Sequence, residues 1–430
     1  MSVSCQNFHQ ISLRGASAGP FPLTWGQGNM WESINALGSK SGRLNMSWTF
    51  PVNHSVSVPD ALARIEACLS QFDIFRVAFA KDRTEQHFKD EASVGVYVRD
   101  SPMSEVRTTP FDMHEAPIRI ELVNRDGFVI GVRLVLWHLA FDGGAYHPLT
   151  RRLSDAIEGR GSTPPALQTE TLVKHEQSAA SVRKSDAVID YWARTAARLP
   201  PGCGLLSTTP GSYSVIAIRS RAIAIAAQVL AAKSSASASG IVLAALAKTI
   251  GHHIDQELSA MLLVCNNRMR RDLSDFVGQT IGNGLLLLPD EGPRESFLSY
   301  AEAVHSRALS AYSRARYDCI KWRGILADLS KKGDATDLSY YFNDVRIDRT
   351  SWEGLEEKIY ELRQGVEQGT SIQVVEQREM SDANLFANLD SAGQECVVEL
   401  ACNDSRIPPA EATALLAALE ESLIEEALAA

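Results

Sequence analysis

Hydrophobic and polar positions alternate between helical stripes and short period-two runs along most of the chain. Val58–Leu69 sets Leu62, Ile65 and Leu69 on one helical face, so the spacing predicts a helix there. Residues 21–37 join a turn-like, proline-containing start to a second helical pattern, with Trp25, Met30 and Trp31 on its apolar side. Helical spacing recurs over Tyr146–Ile157, Asp186–Leu199 (stopped by Pro200-Pro201-Gly202), Ser296–Ser313 and Pro408–Ala429. Ser239 is the expected cap of the helix that begins at Ile241, with the polar run before it as lead-in.

The strand pattern is as regular. Ile118–Val123 and Phe128–Trp137 are two apolar runs separated by Asn124-Arg125-Asp126-Gly127, which predicts a hairpin. Arg43–Val52, Tyr213–Ile225, Leu258–Cys265, Leu338–Asp344, Ser371–Glu376 and Cys396–Ala401 read as further strands. SQFDIFRVAFAKD, from Ser70, reads as a helix end entering a strand, and Gly278–Leu288 as a glycine-rich turn entering one. Strands and helices alternate in both halves without a clean βαβ period. The expected class is therefore α/β with mixed sheets, neither a TIM barrel nor a Rossmann domain. Periodicity lapses over Glu158–Gln168 (EGRGSTPPALQ), the best linker candidate.

Composition narrows the picture. The chain has 430 residues, enough for two to three domain-sized units or two large lobes. It is 45% hydrophobic and 22% charged, ordinary for a globular protein with a sizeable core. A formal charge of −10 argues against a nucleic-acid binder, which needs a basic face. The seven cysteines (Cys5, Cys68, Cys203, Cys265, Cys319, Cys396 and Cys402) are scattered and include no CxxC pair. They read as reduced thiols of a cytoplasmic protein. No signal-peptide pattern opens the chain, and no apolar run is long enough to span a membrane.

The chemistry concentrates in Gly131–Leu149, GVRLVLWHLAFDGGAYHPL. His138 stands at the exit of a buried strand, with Asp142 four residues on and Gly143 beside it. A neutral imidazole can take a proton from an attacking amine, hydroxyl or thiol near neutral pH. Asp142 would orient the ring or fix the turn. Gly143 would let backbone approach the substrate and offer an N–H to an oxyanion. The bland reading is a histidine at a strand end before a polar turn. Arg268, Arg270 and Arg271 supply guanidinium partners for Asp142 in bidentate geometry, or form a solvated basic turn.

Other candidates carry less. Gly15-Ala16-Ser17-Ala18-Gly19 spells GxSxG, but Pro20 and Pro22 follow where a nucleophile elbow needs a helix. His252 and His253 are adjacent on a helix and point about 100° apart, a poor metal pair. His147 is expected at a helix start; His175 and His305 have no partner that the sequence names. Gly26-Gln27-Gly28 is too short for a phosphate loop, and no Walker or dinucleotide signature appears. Trp192, Tyr340, Tyr341 and Phe342 read as core or lobe-interface aromatics.

Several stretches, in order, resemble condensation domains of non-ribosomal peptide synthetases, within the chloramphenicol acetyltransferase-like acyltransferases. WHLAFDGG resembles the HHxxxDG signature, and FPLTWGQGNMW the opening PLSxxQxxxW segment. QFDIFRVAF resembles RHExLRTxF, and DYWARTAARLP the helix with DYWxxxLxxxP. VCNNRMRRDLSDFVGQTIGN resembles the stretch with GRxRP and GxFxN, and LSYYFND the late strand with its Phe-Asn pair. Trp137 stands where the family usually has its first histidine, Ala145 where a serine is common, and GQTIGN, ending in Asn283, where GxFxN is expected.

The resemblance implies two acetyltransferase-like lobes, residues 1–175 and 176–430, in a V-shaped pseudo-dimer with a central tunnel. It implies a free-standing condensation enzyme, or one excised from a larger assembly. The enzyme would transfer an acyl or aminoacyl group from a carrier-protein thioester to an amine or hydroxyl nucleophile. His138 and Gly143 would be catalytic, and Asp142 with Arg268 structural, Arg270 being the reserve partner. Trp137, Ala145, Tyr146, Asn283 and Tyr341 would line the tunnel. The donor would ride on the phosphopantetheine of a peptidyl or acyl carrier protein, and its thioester would make metal and ATP unnecessary. The related alternatives are an O-acyltransferase using acyl-CoA and a soluble alcohol, an epimerase-type relative, and a non-catalytic carrier-recruitment domain.

Overall fold

The computed structural model describes residues 8–80, 85–100, 104–161, 163–197, 199, 211–253, 258–289, 296–331, 338–346, 360–362, 369–381 and 383–430. Cys5, Cys203 and the Pro200–Gly202 helix stop lie outside the described residues. The chain forms two compact units. The first is Met1–Asp186 together with Asn266–Gly282 and Tyr317–Ile320; the second is Ala187–Cys265, Asn283–Arg316 and Lys321–Ala430.

Unit 1 holds strands β1 (Phe8–Arg14), β2 (Ala18–Pro22), β3 (Met46–Ser57), β4 (Val77–Phe79), β5 (Glu85–Phe88), β6 (Glu91–Arg99), β7 (Ile118–Arg125) and β8 (Phe128–Leu136). Its helices are α1 (Trp25–Leu37), α2 (Val58–Leu69), α3 (Ser104–Thr108), α4 (Tyr146–Ile157) and α5 (Thr169–Glu176). Five strands form one sheet in the order β1-β6-β7-β8-β3, and β2-β5-β4 form a small second sheet. β8 is the pivot. It pairs antiparallel with β7 and β3, Leu136 lying opposite both Ile118 and Met46. Asp126 and Gly127 take φ of 53° and 84°, the left-handed pair that a two-residue hairpin turn requires. Helices α2 and α4 pack against this sheet, burying Ile65, Leu69, Leu149 and Leu153 against strand residues such as Val132 and Leu134.

The chain continues through α6 (Ala179–Ala196) into unit 2. There β9 (Tyr213–Ser220), α7 (Arg221–Ala232), α8 (Ala238–His253), β10 (Ala260–Cys265), β11 (Gly282–Leu287), α9 (Phe297–Tyr312), α10 (Cys319–Lys331), β12 (Tyr340–Asp344), β13 (Ser371–Arg378), β14 (Leu385–Ala392), β15 (Glu395–Asn403) and α11 (Pro409–Ala429) follow. The seven-stranded sheet runs β11-β10-β12-β14-β15-β9-β13, with β10, β12 and β14 parallel and the β13-β9-β15-β14 side antiparallel. Mixed pairing in both units matches the expected mixed-sheet class.

Two expected boundaries move. The strand at Tyr213 ends at Ser220, because Ser220 Oγ accepts the Ile223 N–H at 2.9 Å and opens α7. The α8 cap is Ser237, whose Oγ accepts the Gly240 N–H at 3.1 Å, and not Ser239. Cys68, Cys265, Cys319, Cys396 and Cys402 are all free thiols. No helix among the described residues is long and apolar enough to cross a membrane.

Candidate active site

β8 delivers its last residue, Leu136, into the core, and the chain then turns sharply. The Trp137 N–H donates to the Pro117 carbonyl, and the Trp137 carbonyl accepts from Ala140 and Phe141. That turn presents His138 half-buried between two buried chain neighbours, Trp137 and Leu139. His138 Nδ1 lies 2.8 Å from the Phe141 carbonyl oxygen. A carbonyl only accepts, so Nδ1 carries a proton, and in the neutral form of the ring the lone pair lies on Nε2. This is the tautomer that a general base acting through Nε2 needs.

Asp142 follows, fully buried, and accepts three hydrogen bonds from N–H donors. Its Oδ1 takes Arg268 Nη2 at 2.7 Å and Arg268 Nε at 3.2 Å; its Oδ2 takes the Thr280 N–H at 2.7 Å and lies 2.8 Å from Thr280 Oγ1. Arg268 spends its other donors on the carbonyls of Leu273, Phe276 and Gly278, at 3.0, 2.6 and 3.0 Å. Every N–H of the guanidinium therefore has an acceptor, as a buried charge demands. The pair differs from the expected bidentate strut, since both Arg268 donors converge on one oxygen and Thr280 occupies the other. Asp142 and Arg268 also belong to the same unit, so the pair does not bridge the two. Asn267, with φ of 54°, makes the left-handed turn that launches Arg268, and its Nδ2 donates to the Thr280 carbonyl at 2.9 Å.

The two motif glycines divide the work. Gly143 is exposed, and a Cβ there would meet no heavy atom within 4 Å. At Gly144 a Cβ would stand 2.1 Å from Arg268 Nε, so the close approach of the guanidinium requires this glycine. Gly143–Ala145 form a 3-10 turn leading directly into α4.

The expected tunnel residues separate. Trp137 is 2% exposed, edge-on to Phe79 at 5.3 Å and stacked on Phe111 at 5.8 Å, so its indole fills the core. Ala145 is also fully buried, its N–H donating to the Asp142 carbonyl. Neither lines an open channel. Tyr146 is half-buried, edge-on to Trp48 at 5.3 Å. Asn283 lies on β11 and Tyr341 on β12, both in unit 2; Tyr341 stacks on Phe386 at 5.4 Å.

The remaining candidates have structural occupations. Arg270 holds Asp272 and donates to His175 Nε2 at 2.7 Å, which gives His175 its partner and takes Arg270 away from Asp142. Ser17 sits in the loop between β1 and β2, with no helix after it. The Gln27 side chain completes a capping box with Thr24 and exchanges amide hydrogen bonds with Gln86. Burial pushes the Cys319 thiol well above its usual range, and its Sγ donates to the Trp25 carbonyl. Burial likewise draws His305 below the ordinary imidazole value. Among the described residues no cluster of His, Cys, Asp or Glu could hold a metal ion.

Sequence reasoning passed over Gln279 and Thr280. Both are nearly fully buried and both serve the His138–Asp142 turn. Their only signal was the polar pair inside a glycine-bounded turn, GQTIG, soon after an arginine cluster.

No family model matches the sequence. A probable non-canonical nonribosomal peptide synthetase, CymA of Salinispora arenicola, is 28% identical over 153 residues, 33% of this chain. That stretch is 2% of the synthetase, so the chain spans a small part of that relative. Among solved structures, the condensation domain of the monacolin K polyketide synthase MokA covers 96% of this chain and 99% of its own, with a TM-score of 0.71 at 15% identity. The structure describing condensation domain-mediated chain release from the enacyloxin polyketide synthase covers 96% of this chain and 84% of its own, again with a TM-score of 0.71 at 15% identity.

Proposed function

For a chain with the condensation-domain fold, we propose acyl transfer as the activity, from a carrier-protein thioester to an amine or hydroxyl nucleophile. The observation that carries the reading is the His138 ring, held by the Phe141 carbonyl with its lone pair on Nε2, on a turn that the Asp142–Arg268 pair anchors. Nε2 takes the proton of the nucleophile as it attacks the thioester carbonyl carbon. The tetrahedral oxyanion forms beside the Gly143 backbone, whose N–H stabilises it. Collapse breaks the carbon–sulfur bond, and the departing phosphopantetheine thiolate takes the proton back from the imidazolium. The product is an amide or an ester, and the arm returns as a free thiol.

Asp142 has no proton to relay. Its oxygens accept from Arg268 and from the Thr280 N–H, and its role is to hold the loop. Tyr146 remains the proposed substrate-side contact.

The test is intact-protein mass spectrometry of an acyl-loaded carrier protein, incubated with the enzyme and a panel of amines and alcohols. Loss of the acyl mass that depends on both enzyme and nucleophile is the expected result. Turnover of acyl-CoA but not of the loaded carrier would replace the reading with a soluble-donor O-acyltransferase. Carrier binding without any turnover would replace it with a recruitment role.

A further inference from the structure

Gln279 is 2% exposed and makes three hydrogen bonds. Its Nε2 donates to the His138 carbonyl at 2.7 Å and to the Phe141 carbonyl at 2.9 Å, while its Oε1 accepts the Ile281 N–H at 3.0 Å. That set fixes the sense of the amide, because a flip would turn oxygen onto two carbonyls and nitrogen onto a donor. Both amide hydrogens are then spent on backbone. Gln279 holds the turn that carries the histidine and is not itself a reacting group.

The Phe141 carbonyl is the junction. It accepts the His138 Nδ1–H and a Gln279 N–H, using both of its lone pairs, with the two donor nitrogens 3.5 Å apart. Rotation of that peptide would cost Gln279 a buried hydrogen bond as well as freeing the ring. A second feature seats the clamp. In the first turn of α1, a Cβ on Gly26 would stand 2.7 Å from the Gln279 carbonyl oxygen and 2.9 Å from Thr280 Cα. Glycine costs a helix about 1 kcal/mol relative to alanine. Here it leaves the space in which the Gln279 backbone lies.

We infer that Gln279 is a positioning residue for His138: seated against Gly26, it holds the Phe141 carbonyl where it fixes the Nδ1–H tautomer and the rotation of the ring. The inference rests on the reading of His138 as the acting base. It names the group that keeps that base in its working form.

The experiment uses the full chain labelled with 15N-histidine, the His138 ring signals being assigned by comparison with His138→Asn. The wild type should show a protonated Nδ1 and an unprotonated Nε2. Gln279→Met keeps the length of the side chain and removes both donors, so the ring signals should move toward a mixture of tautomers. In that variant kcat should fall roughly 10- to 100-fold, with KM for the acyl donor unchanged within about twofold. Gly26→Ala should reproduce the tautomer shift with both side chains intact, and it carries the test if Gln279→Met does not fold. Folded variants that keep the wild-type ring signals overturn the inference, whatever their rates. The ring spectrum needs no turnover. A wild type without acyl transfer, whose variants still shift the tautomer, overturns the acyl-transfer reading alone.

Discussion

Asp142 and Arg268 form a saturated ion pair, with the Arg268 side chain 7% exposed and Asp142 wholly buried. Removing one member leaves the other charged and dry. Arg268→Ala should therefore destabilise the protein by about 3–5 kcal/mol, the usual cost of breaking a buried pair. Asp142→Asn likewise leaves Arg268 without its counter-charge and turns an amide NH2 onto a donor, so it should destabilise comparably. Urea denaturation of both variants checks it; midpoints equal to that of the wild type would show that the pair does not hold the loop. His138, Asp142 and Arg268 were legible in the sequence because their side-chain types advertise chemistry. Gln279 and Thr280 were not, because they act on backbone carbonyls and on a carboxylate far away in sequence, and such contacts leave no periodicity. Motif letters pointed to Asn283, which lies on β11. Beside Arg268, the hydrogen bonds to the His138 loop come from the two residues after Gly278.

At the scale of elements, helices with a clear apolar stripe are legible in the sequence, and a short one capped from afar is not. α2 and α4 have the bounds that the apolar stripe predicts, with Ser57 capping α2. α5 was missed, since it has only eight residues and its first amides, Thr169 and Glu170, are capped by Asp73 at 3.0 and 2.8 Å. β6 alternates buried with more exposed positions, the period-two pattern of a half-covered strand. In β14 the buried Leu385, Ala387 and Leu389 are interleaved with Asn and Asp, which dilutes the strand signal. The end of β9 shows why a boundary slipped. Ile223 and Ile225 continue the apolar pattern, yet Ser220 has already started α7 and also donates to the buried Glu420 of α11. Thr370 Oγ1 supplies that carboxylate with a second donor at 2.6 Å. Ser220→Ala should cost about 2–4 kcal/mol, combining a lost cap with a lost bond to a buried carboxylate. Thermal melting of the variant checks it, and an unchanged midpoint would contradict the role.

At the scale of the molecule, the mixed-sheet class was legible from the interleaving of strand and helix patterns, and the order of six weak motifs pointed to the condensation-domain fold. Residues 266–282 follow the expected boundary at 175 by some ninety positions, yet they cluster with unit 1, where Arg268, Gln279 and Thr280 brace the His138 loop. No linker composition announces such an excursion, because it is held by side chains reaching backbone. Trp137 resolves at this scale as well. Its indole joins Phe79 and Phe111 in the core of unit 1, so this motif position is spent on packing. The most direct measurement is the rate of acyl loss from a loaded carrier protein, with a competent amine or alcohol, for His138→Ala beside the wild type. The variant should fold and leave the carrier loaded, its rate reduced by about 10²-fold or more. A His138→Ala protein that unloads the carrier at the wild-type rate would contradict it.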